Sequence, residues 1–300
     1  MISGFNGLSP MGVTKQAFKD FGEDDMSTHA AALTYRVLLA IFPFLIFILT
    51  LLGALNMEKF INAILEEARV ALSADLYTQF ESILEQVQTG ANGGLLSFGL
   101  LLALWSAAGG VRSVMHALNV AYDVEEERPL LRKYVASIVY TVGLALILLA
   151  AILLMFLGPQ SIEWLAGQIG LGEVFVNIWT WLRYPAAIVL MVLAVALIYY
   201  FFPNVDQPFR IVSPGSLIAV VVWVIATLAV SVYLSNFGNY NATYGSLAGV
   251  IALLFYLFVS SAILLLGAEV NAVIFKADSH TDKSNVESDK VDEAQENATT

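Results

Sequence analysis

The 300-residue sequence contains no cysteine, and only 13% of its residues are charged. The absence of cysteine excludes a disulfide framework, a thiolate metal site and a cysteine nucleophile. A soluble domain carries about 25% charged residues, so the composition argues against a water-soluble enzyme. The net charge of −11 argues against nucleic acid as a partner, because contacts to phosphates require a basic face. The three histidines are too scattered to suggest a metal site.

Long uncharged runs are abundant, and 58% of the residues are hydrophobic. Residues 37–57 carry no charge, and residues 211–268 form a run of 58 uncharged residues. At about 1.5 Å per residue, the second run is too long for one crossing of a hydrocarbon core of about 30 Å, so it predicts two helices. We therefore expect an all-α membrane protein. Its six transmembrane helices are predicted at 32–55, 95–110, 134–157, 184–202, 214–234 and 246–270.

The distribution of lysine and arginine predicts the orientation of these spans. Six spans place both termini on one side of the membrane, where 11 of the 14 basic residues lie, leaving three on the other side. Basic residues concentrate in cytoplasmic loops. We therefore expect a multi-pass protein with cytoplasmic N and C termini.

Both ends of the chain are predicted to lie outside the membrane domain. Residues 1–28 predict a cytoplasmic surface helix that is capped by Ser9 and begins at Pro10. Its apolar side either lies on the inner leaflet or packs under the bundle. The polar residues 276–300 predict a disordered cytoplasmic tail. The membrane domain is thus predicted at 29–275.

Two segments are predicted to form helices on the extracytoplasmic side. Residues 57–92 place apolar side chains at helical spacing, which indicates amphipathic helices near the outer leaflet. Residues 159–182 contain Trp164, Trp179 and Trp181, which are typical of membrane interfaces.

No catalytic motif is recognisable, so we expect no catalytic residue, no cofactor and no metal site. Polar side chains at membrane depth are costly and are therefore functional candidates. Pro43 and Gly245 join them, because such residues bend helices or permit close helix contact. The small residues 106–110 indicate either close contact or a broken helix that lines a cavity. The candidate residues are Tyr35, Arg36, Pro43, Arg112, Tyr244, Gly245, Glu269 and Asn271.

Two interpretations of these candidates are open. In the first, they line the inner mouth of a partly polar cavity between spans 1, 2, 5 and 6, where Arg36 suits an anionic headgroup or solute. In the second, they tie helix ends to the membrane interface. An unpaired carboxylate at that depth would be costly or would protonate, so we expect Glu269 to pair with Arg36 or Arg112.

Several short motifs carry a resemblance to a known family. They are Ala30–Tyr35 (AAALTY) followed by Phe42-Pro43, then Pro214-Gly215, Trp223, Tyr233, Tyr244–Leu247 (YGSL) and Leu266–Ala272 (LGAEVNA). Over residues 15–275 the chain resembles the YihY/BrkB membrane proteins. It departs from their pattern at Ala40, where relatives often have serine, and at 256–258, where they often have Trp-Leu-Tyr. No role for that serine is therefore carried over.

The resemblance implies a bacterial inner-membrane protein with six helices and no settled activity. The family has been labelled a serum-resistance factor and "ribonuclease BN", and some relatives are suspected exporters of lipid-linked envelope precursors. We expect a transporter or exporter of an amphipathic, anionic or lipid-like solute, and the alternative is a non-transporting envelope scaffold or assembly factor. A ribonuclease is least favoured, because the cytoplasmic loops are short and acidic. The expected partners are the bilayer and such a solute, and the oligomeric state is left open.

The predicted topology can be tested by cysteine labelling of intact cells. The chain has no cysteine of its own, so a membrane-impermeant thiol reagent should modify Ser73→Cys, in the outer segment, and spare Ser279→Cys, in the tail. The opposite labelling pattern would invert the orientation.

Overall fold

A computed structural model describes residues 9–54, 78, 93–156, 173–208, 212–236 and 246–299. All regular secondary structure in these ranges is helical, which confirms the all-α class. The helices are α1 (Pro10–Glu23), α2 (Met26–Ala54), α3 (Gly93–Ala121), α4 (Leu130–Phe156), α5 (Glu173–Phe201), α6 (Pro214–Asn236) and α7 (Ser246–Thr299).

Four helices within these ranges are long and apolar enough to cross a membrane. The crossing segments are Leu130–Ala151 in α4, Phe175–Phe201 in α5, Pro214–Tyr233 in α6 and Gly249–Asp278 in α7. Their lengths of 20 to 30 residues suit a bilayer, which requires about 20. The helices α2 and α3, of 29 residues each, cover the first two predicted spans. The total of six spans stays a prediction.

The start of α5 corrects the predicted outer segment 159–182. The helix begins at Glu173, so the part of this segment from 173 onward belongs to a candidate spanning helix, whereas 159–172 lies outside the described residues. We expected the span to begin only after Arg183. The charge of Arg183 does not end the helix, because its guanidinium lies 4.8 Å from the Tyr184 ring centre and donates a hydrogen bond of 2.9 Å to the Tyr184 hydroxyl.

The C-terminal helix also differs from the prediction. The backbone of α7 is helical as far as Thr299, across residues 276–299 that we expected to be disordered. This stretch contains neither glycine nor proline, the two residues that most strongly end a helix. The other predicted outer segment, 57–92, lies outside the described residues apart from Thr78.

The N-terminal helix packs against the bundle. The Ser9 hydroxyl accepts a hydrogen bond of 3.1 Å from the Gly12 N–H, and Pro10 occupies the first turn, so the predicted cap is confirmed. Val13 and Ala17 are buried in a small cluster whose other buried members, Val270 and Ile274, lie on α7. Of the two interpretations for this helix, packing on the bundle therefore holds, while Phe18 of the same helix remains exposed.

The helices α6 and α7 cross so closely that Gly215 and Gly267 have no room for a β carbon. A β carbon added at Gly215 would overlap the Gly267 carbonyl oxygen, and one added at Gly267 would overlap the Tyr199 hydroxyl. Asn271 fastens the same crossing, because its side chain accepts from the Gly215 N–H and donates to the Ser213 hydroxyl, each at 2.9 Å. Small residues here allow two backbones to touch.

The small residues of α3 serve helix contact. The helix is continuous through residues 106–110, so the alternative of a broken helix is wrong. Ala108 and Gly110 are buried within this segment. Pro43 lies inside the helical range of α2, and the kink expected there stays a prediction.

The α6–α7 crossing predicts unequal effects of glycine-to-alanine substitutions. Gly215→Ala or Gly267→Ala should lower stability by about 1–3 kcal/mol through overpacking, measured as the thermal midpoint of the purified protein. Gly143→Ala in α4 is the matched control, because no neighbouring atom lies within 4 Å of its added β carbon. It should leave stability unchanged or raise it, since alanine favours the helix by about 1 kcal/mol. Equal effects at all three positions would contradict the close crossing.

Candidate functional site

Glu269 on α7 is the one charged side chain that is buried among the described residues, with 0% exposure. Neither of its carboxylate oxygens has a hydrogen-bond partner, and it forms no ion pair with any described lysine or arginine. The predicted pairing with Arg36 or Arg112 is therefore wrong. Arg36 donates instead to the Gly109 carbonyl, and Arg112 donates to the Ser137 hydroxyl.

Three other carboxylates lie within electrostatic reach of Glu269, and we call them the acidic vestibule: Asp20 on α1, Asp24 after α1 and Asp123 after α3. Lys276 is the cation in this group, and it forms an ion pair with Asp123. Burial raises the pKa of Asp24, and the negative charge of Asp123 raises it further. Asp123 has φ of 54°, a left-handed conformation that aspartate tolerates. The carboxylates of the vestibule lie on α1 and on the turns at this end of the bundle.

Tyr122 adds a second buried polar group beside the carboxyl. Its hydroxyl has no hydrogen bond of good geometry, although Gln207 lies close to it. Burial raises the pKa of this hydroxyl well above its ordinary value, and the nearby Glu269 charge also raises it. The hydroxyl therefore remains a protonated donor. Leaving a buried polar group unsatisfied costs about 1–3 kcal/mol, so the unpartnered carboxyl of Glu269 calls for an explanation.

An open pocket with a cavity volume of about 60 Å³ lies at this end of the bundle, between α5, α6 and α7. Its polar lining includes Tyr199, Gln207, Ser213, Asn271 and Asp278. Asn271, which was predicted to line a cavity with Tyr35, Arg36 and Tyr244, lies in the wall of this pocket. The cavity was expected between spans 1, 2, 5 and 6, whereas this pocket involves the helices of spans 4, 5 and 6.

The remaining predicted site residues do not form one group. Tyr35 is 62% exposed, and Arg36 beside it is also exposed, so neither lines the pocket. Arg112 is half-buried and meets Arg36 near Gly109 of α3. Tyr244 and Gly245 lie outside the described residues. The described candidates thus form two separate groups. Glu269 and Asn271 lie together on α7, and Arg36 and Arg112 lie together beside Gly109.

A polar network that the sequence analysis did not single out joins α3 to two connections at the same end, the α3–α4 loop and the α5–α6 connection. The Asn119 side chain donates to Glu126 at 3.3 Å and accepts from the Asn204 N–H at 2.8 Å. Arg128 bonds Glu126 at 2.6 Å and the Phe202 carbonyl at 2.8 Å. The ends of α3 and α5 are thereby fastened to the α3–α4 loop. The available signal was the spacing of Arg128, two residues after Glu126.

A family comparison matches residues 17–291 to the family model "Virulence factor BrkB". The chain is 34% identical over 266 residues to YfkH of Bacillus subtilis, which is named a putative ribonuclease-like protein. This match spans 89% of the present chain and 96% of YfkH. It is 26% identical over 264 residues to the UPF0761 membrane protein RSc1559 of Ralstonia nicotianae. It is 24% identical over 276 residues to the UPF0761 membrane protein PSHAa0171 of Pseudoalteromonas translucida.

The coverage of these relatives differs. The match with RSc1559 spans 87% of this chain but 58% of that protein, and the match with PSHAa0171 spans 84% of this chain and 82% of that protein. No solved structure matches the chain.

The Glu126 network predicts a loss of stability in acid. Burial raises the pKa of Glu126, but the hydrogen bonds and charge of Arg128 and the charge of Lys133 lower it more, so the pKa lies below its ordinary value. The stabilisation is therefore present above the pKa of an unfolded glutamate, about 4.3, and is lost as pH falls through the folded-state value. Glu126→Gln should remove about 1.5–3 kcal/mol at neutral pH and flatten the acid limb of the thermal midpoint. The exposed Glu127→Gln is the control, and an equal effect there would contradict the prediction.

Proposed function

We propose that this chain, which belongs to the Virulence factor BrkB family of membrane proteins, is a transporter that couples the movement of an amphipathic, lipid-like solute to proton exchange at Glu269. The observation that carries the proposal is the fully buried carboxyl of Glu269, which lacks a hydrogen bond and an ion-pair partner among the described residues. Ionisable groups inside membrane segments are expensive and mark solute and proton pathways.

The energetic cost of a buried carboxylate supports this proposal. An ionised carboxylate stranded without a partner in a protein interior costs about 3–5 kcal/mol. A chain that only tied helices together would be more stable with glutamine or leucine at this position. A glutamate at this position is explained if the group binds a proton in this conformation and releases it in another.

The acidic vestibule places titratable groups between the surroundings of this carboxyl and the surface. Asp123 is 66% exposed at its side chain, while Asp24 is partly buried and Glu269 is fully buried. These groups therefore form a graded series from solvent to the interior. The Lys276–Asp123 ion pair joins α7 to the end of α3 at its outer edge, so movement of α7 would open or close the series.

The pocket between α5, α6 and α7, with a cavity volume of about 60 Å³, has room for a polar group of the solute. Gln207, Ser213 and Asn271 offer hydrogen-bonding groups, whereas Tyr200 and Phe275 offer aromatic surface in the same lining. A lining of this mixed kind suits a solute with a polar and an apolar part. Asn271 lies two residues after Glu269 on α7, so one helix carries both the carboxyl and part of the pocket.

The alternative is a non-transporting envelope scaffold. It is favoured by the outward position of Tyr35 and Arg36, which we expected to line a cavity and which are exposed instead. A scaffold requires no proton exchange, so the behaviour of Glu269 distinguishes the two functions. The ribonuclease-like name of YfkH is not carried over, because a net charge of −11 provides no basic face for RNA.

The test uses Glu269→Gln in the full-length protein, reconstituted in vesicles. Infrared spectroscopy during pH steps should show a protonated carboxyl band in the wild type that disappears as pH rises and is absent in the variant. Transport of fluorescent phosphatidylglycerol across the bilayer, followed by dithionite quenching of the outer leaflet, should fall to the rate of protein-free vesicles in Glu269→Gln.

The matched control is Glu127→Gln, which removes an exposed carboxylate from the α3–α4 loop. It should keep both the band and the transport rate. Glu269→Gln should retain or exceed the wild-type thermal midpoint, since it removes a buried group that can ionise. Wild-type vesicles that move no labelled lipid would favour the scaffold, and a variant with the wild-type rate and band would refute the role of Glu269.

A further inference from the structure

Two arginines from neighbouring helices meet at Gly109. Arg36 of α2 donates to the Gly109 carbonyl at 3.4 Å, and a β carbon on Gly109 would lie 3.5 Å from a terminal nitrogen of Arg112. Both guanidinium groups therefore lie beside Gly109 on this part of α3. Arg112 continues toward α4, where it donates to the Ser137 hydroxyl at 3.0 Å.

Neither arginine has a counter-ion in the part of the chain that the structure describes. Their protein partners are the neutral oxygens of Gly109 and Ser137, and the charge of Arg36 acts unfavourably on Arg112. Four other cations at the same end have carboxylate partners, whereas the exposed Lys15 and Arg132 have none among the described residues. The four pairs are Lys19 with Glu23, Arg128 and Lys133 with Glu126, and Lys276 with Asp123. Two adjacent guanidinium groups without an anion are suited to an anion from outside the chain.

The surroundings of these arginines face lipid. The Arg112 guanidinium carbon lies 4.5 Å from the Tyr134 ring centre and 5.4 Å from that of Trp105. Trp105 is 57% exposed and stacks on Tyr134 with ring centres 5.5 Å apart. One helical turn along α3, Leu101 and Leu102 are also exposed. Tryptophan and tyrosine beside apolar residues are typical of the zone where headgroups meet acyl chains.

The depth of the site agrees with this zone. Arg112 lies two residues beyond the end of the predicted span 95–110, which is about 3 Å along the helix axis. Long guanidinium side chains reach from such a position toward the headgroups. A soluble anion would not use the apolar surface below the arginines, whereas a phospholipid places its phosphate and its chains in this order.

We propose that Arg36 and Arg112 bind the phosphate of an anionic phospholipid, with Trp105 and Tyr134 beside its glycerol and upper acyl chains. Basic sites between membrane helices recognise such headgroups. This site is separate from the carboxyl and pocket of the proposed transport function and does not depend on that function.

The experiment measures quenching of tryptophan fluorescence by brominated lipids in vesicles that contain the full-length protein. Brominated phosphatidylglycerol should quench more strongly than brominated phosphatidylcholine in the wild type, and Trp105→Phe should remove this excess. Arg36→Gln should weaken the apparent affinity for phosphatidylglycerol about tenfold, and Arg36→Gln with Arg112→Gln should weaken it further. Arg36 is exposed and makes one long hydrogen bond, so its replacement should leave the fold intact.

The matched control is Arg132→Gln, which removes an exposed charge from the first turn of α4 at the same end of the bundle. It should retain the wild-type preference for phosphatidylglycerol. Equal quenching by the two lipids in the wild type, or an unchanged preference in the double variant, would overturn the proposal. Displacement of the lipid by inorganic phosphate at comparable concentrations would also overturn it, because the site would then recognise a free anion.

Discussion

The close crossing of α6 and α7 determines where the polar groups Glu269 and Asn271 lie. At Gly215 and Gly267 the backbones leave no room for a β carbon, and Asn271 is already bonded to the first turn of α6. The bilayer offers no water to replace those bonds. Glu269 lies between Gly267 and Asn271 in the sequence, so the geometry that holds the two helices together also sets the position of the carboxyl.

The sequence allowed the depth of the polar residues to be predicted, but it did not reveal the sides of the helices on which they lie. Depth follows from counting residues along a helix of known rise, and this count placed Glu269, Arg36 and Arg112 near one end of the bundle. A helix that is apolar all round has no pattern to show which side faces the interior. The expected pairing failed for this reason, because Arg112 faces Ser137 on α4 while Glu269 is buried elsewhere.

The starts of helices were predicted correctly where one residue type fixes the local backbone conformation. The Ser9 cap of α1 and the start of α6 at Pro214 follow from side-chain chemistry within one turn, and both agree with the sequence. Charge was a poorer guide to helix ends. Arg183 was taken as the border of a span, but a neighbouring tyrosine accommodates its guanidinium on the surface of α5. The spacing of Arg128, two residues after Glu126, was a signal for one partner, whereas the bond from Asn119 depends on how the loop folds back on α3.

Packing around α3 keeps the buried carboxyl and the arginine pair apart. Met115 and Leu118 belong to the same buried core as Ala268 and Ala272 of α7, whereas Arg112 on α3 is directed to α4. Opposite charges 4 Å apart attract by about 4 kcal/mol at an effective dielectric constant of 20, and such a pair would hold the carboxylate ionised and occupy the guanidinium. Rotation of α3 that brought Arg112 toward α7 would therefore remove both the proton-exchanging group and the phosphate site. The apolar core face of α3 is the common physical basis of the two proposals.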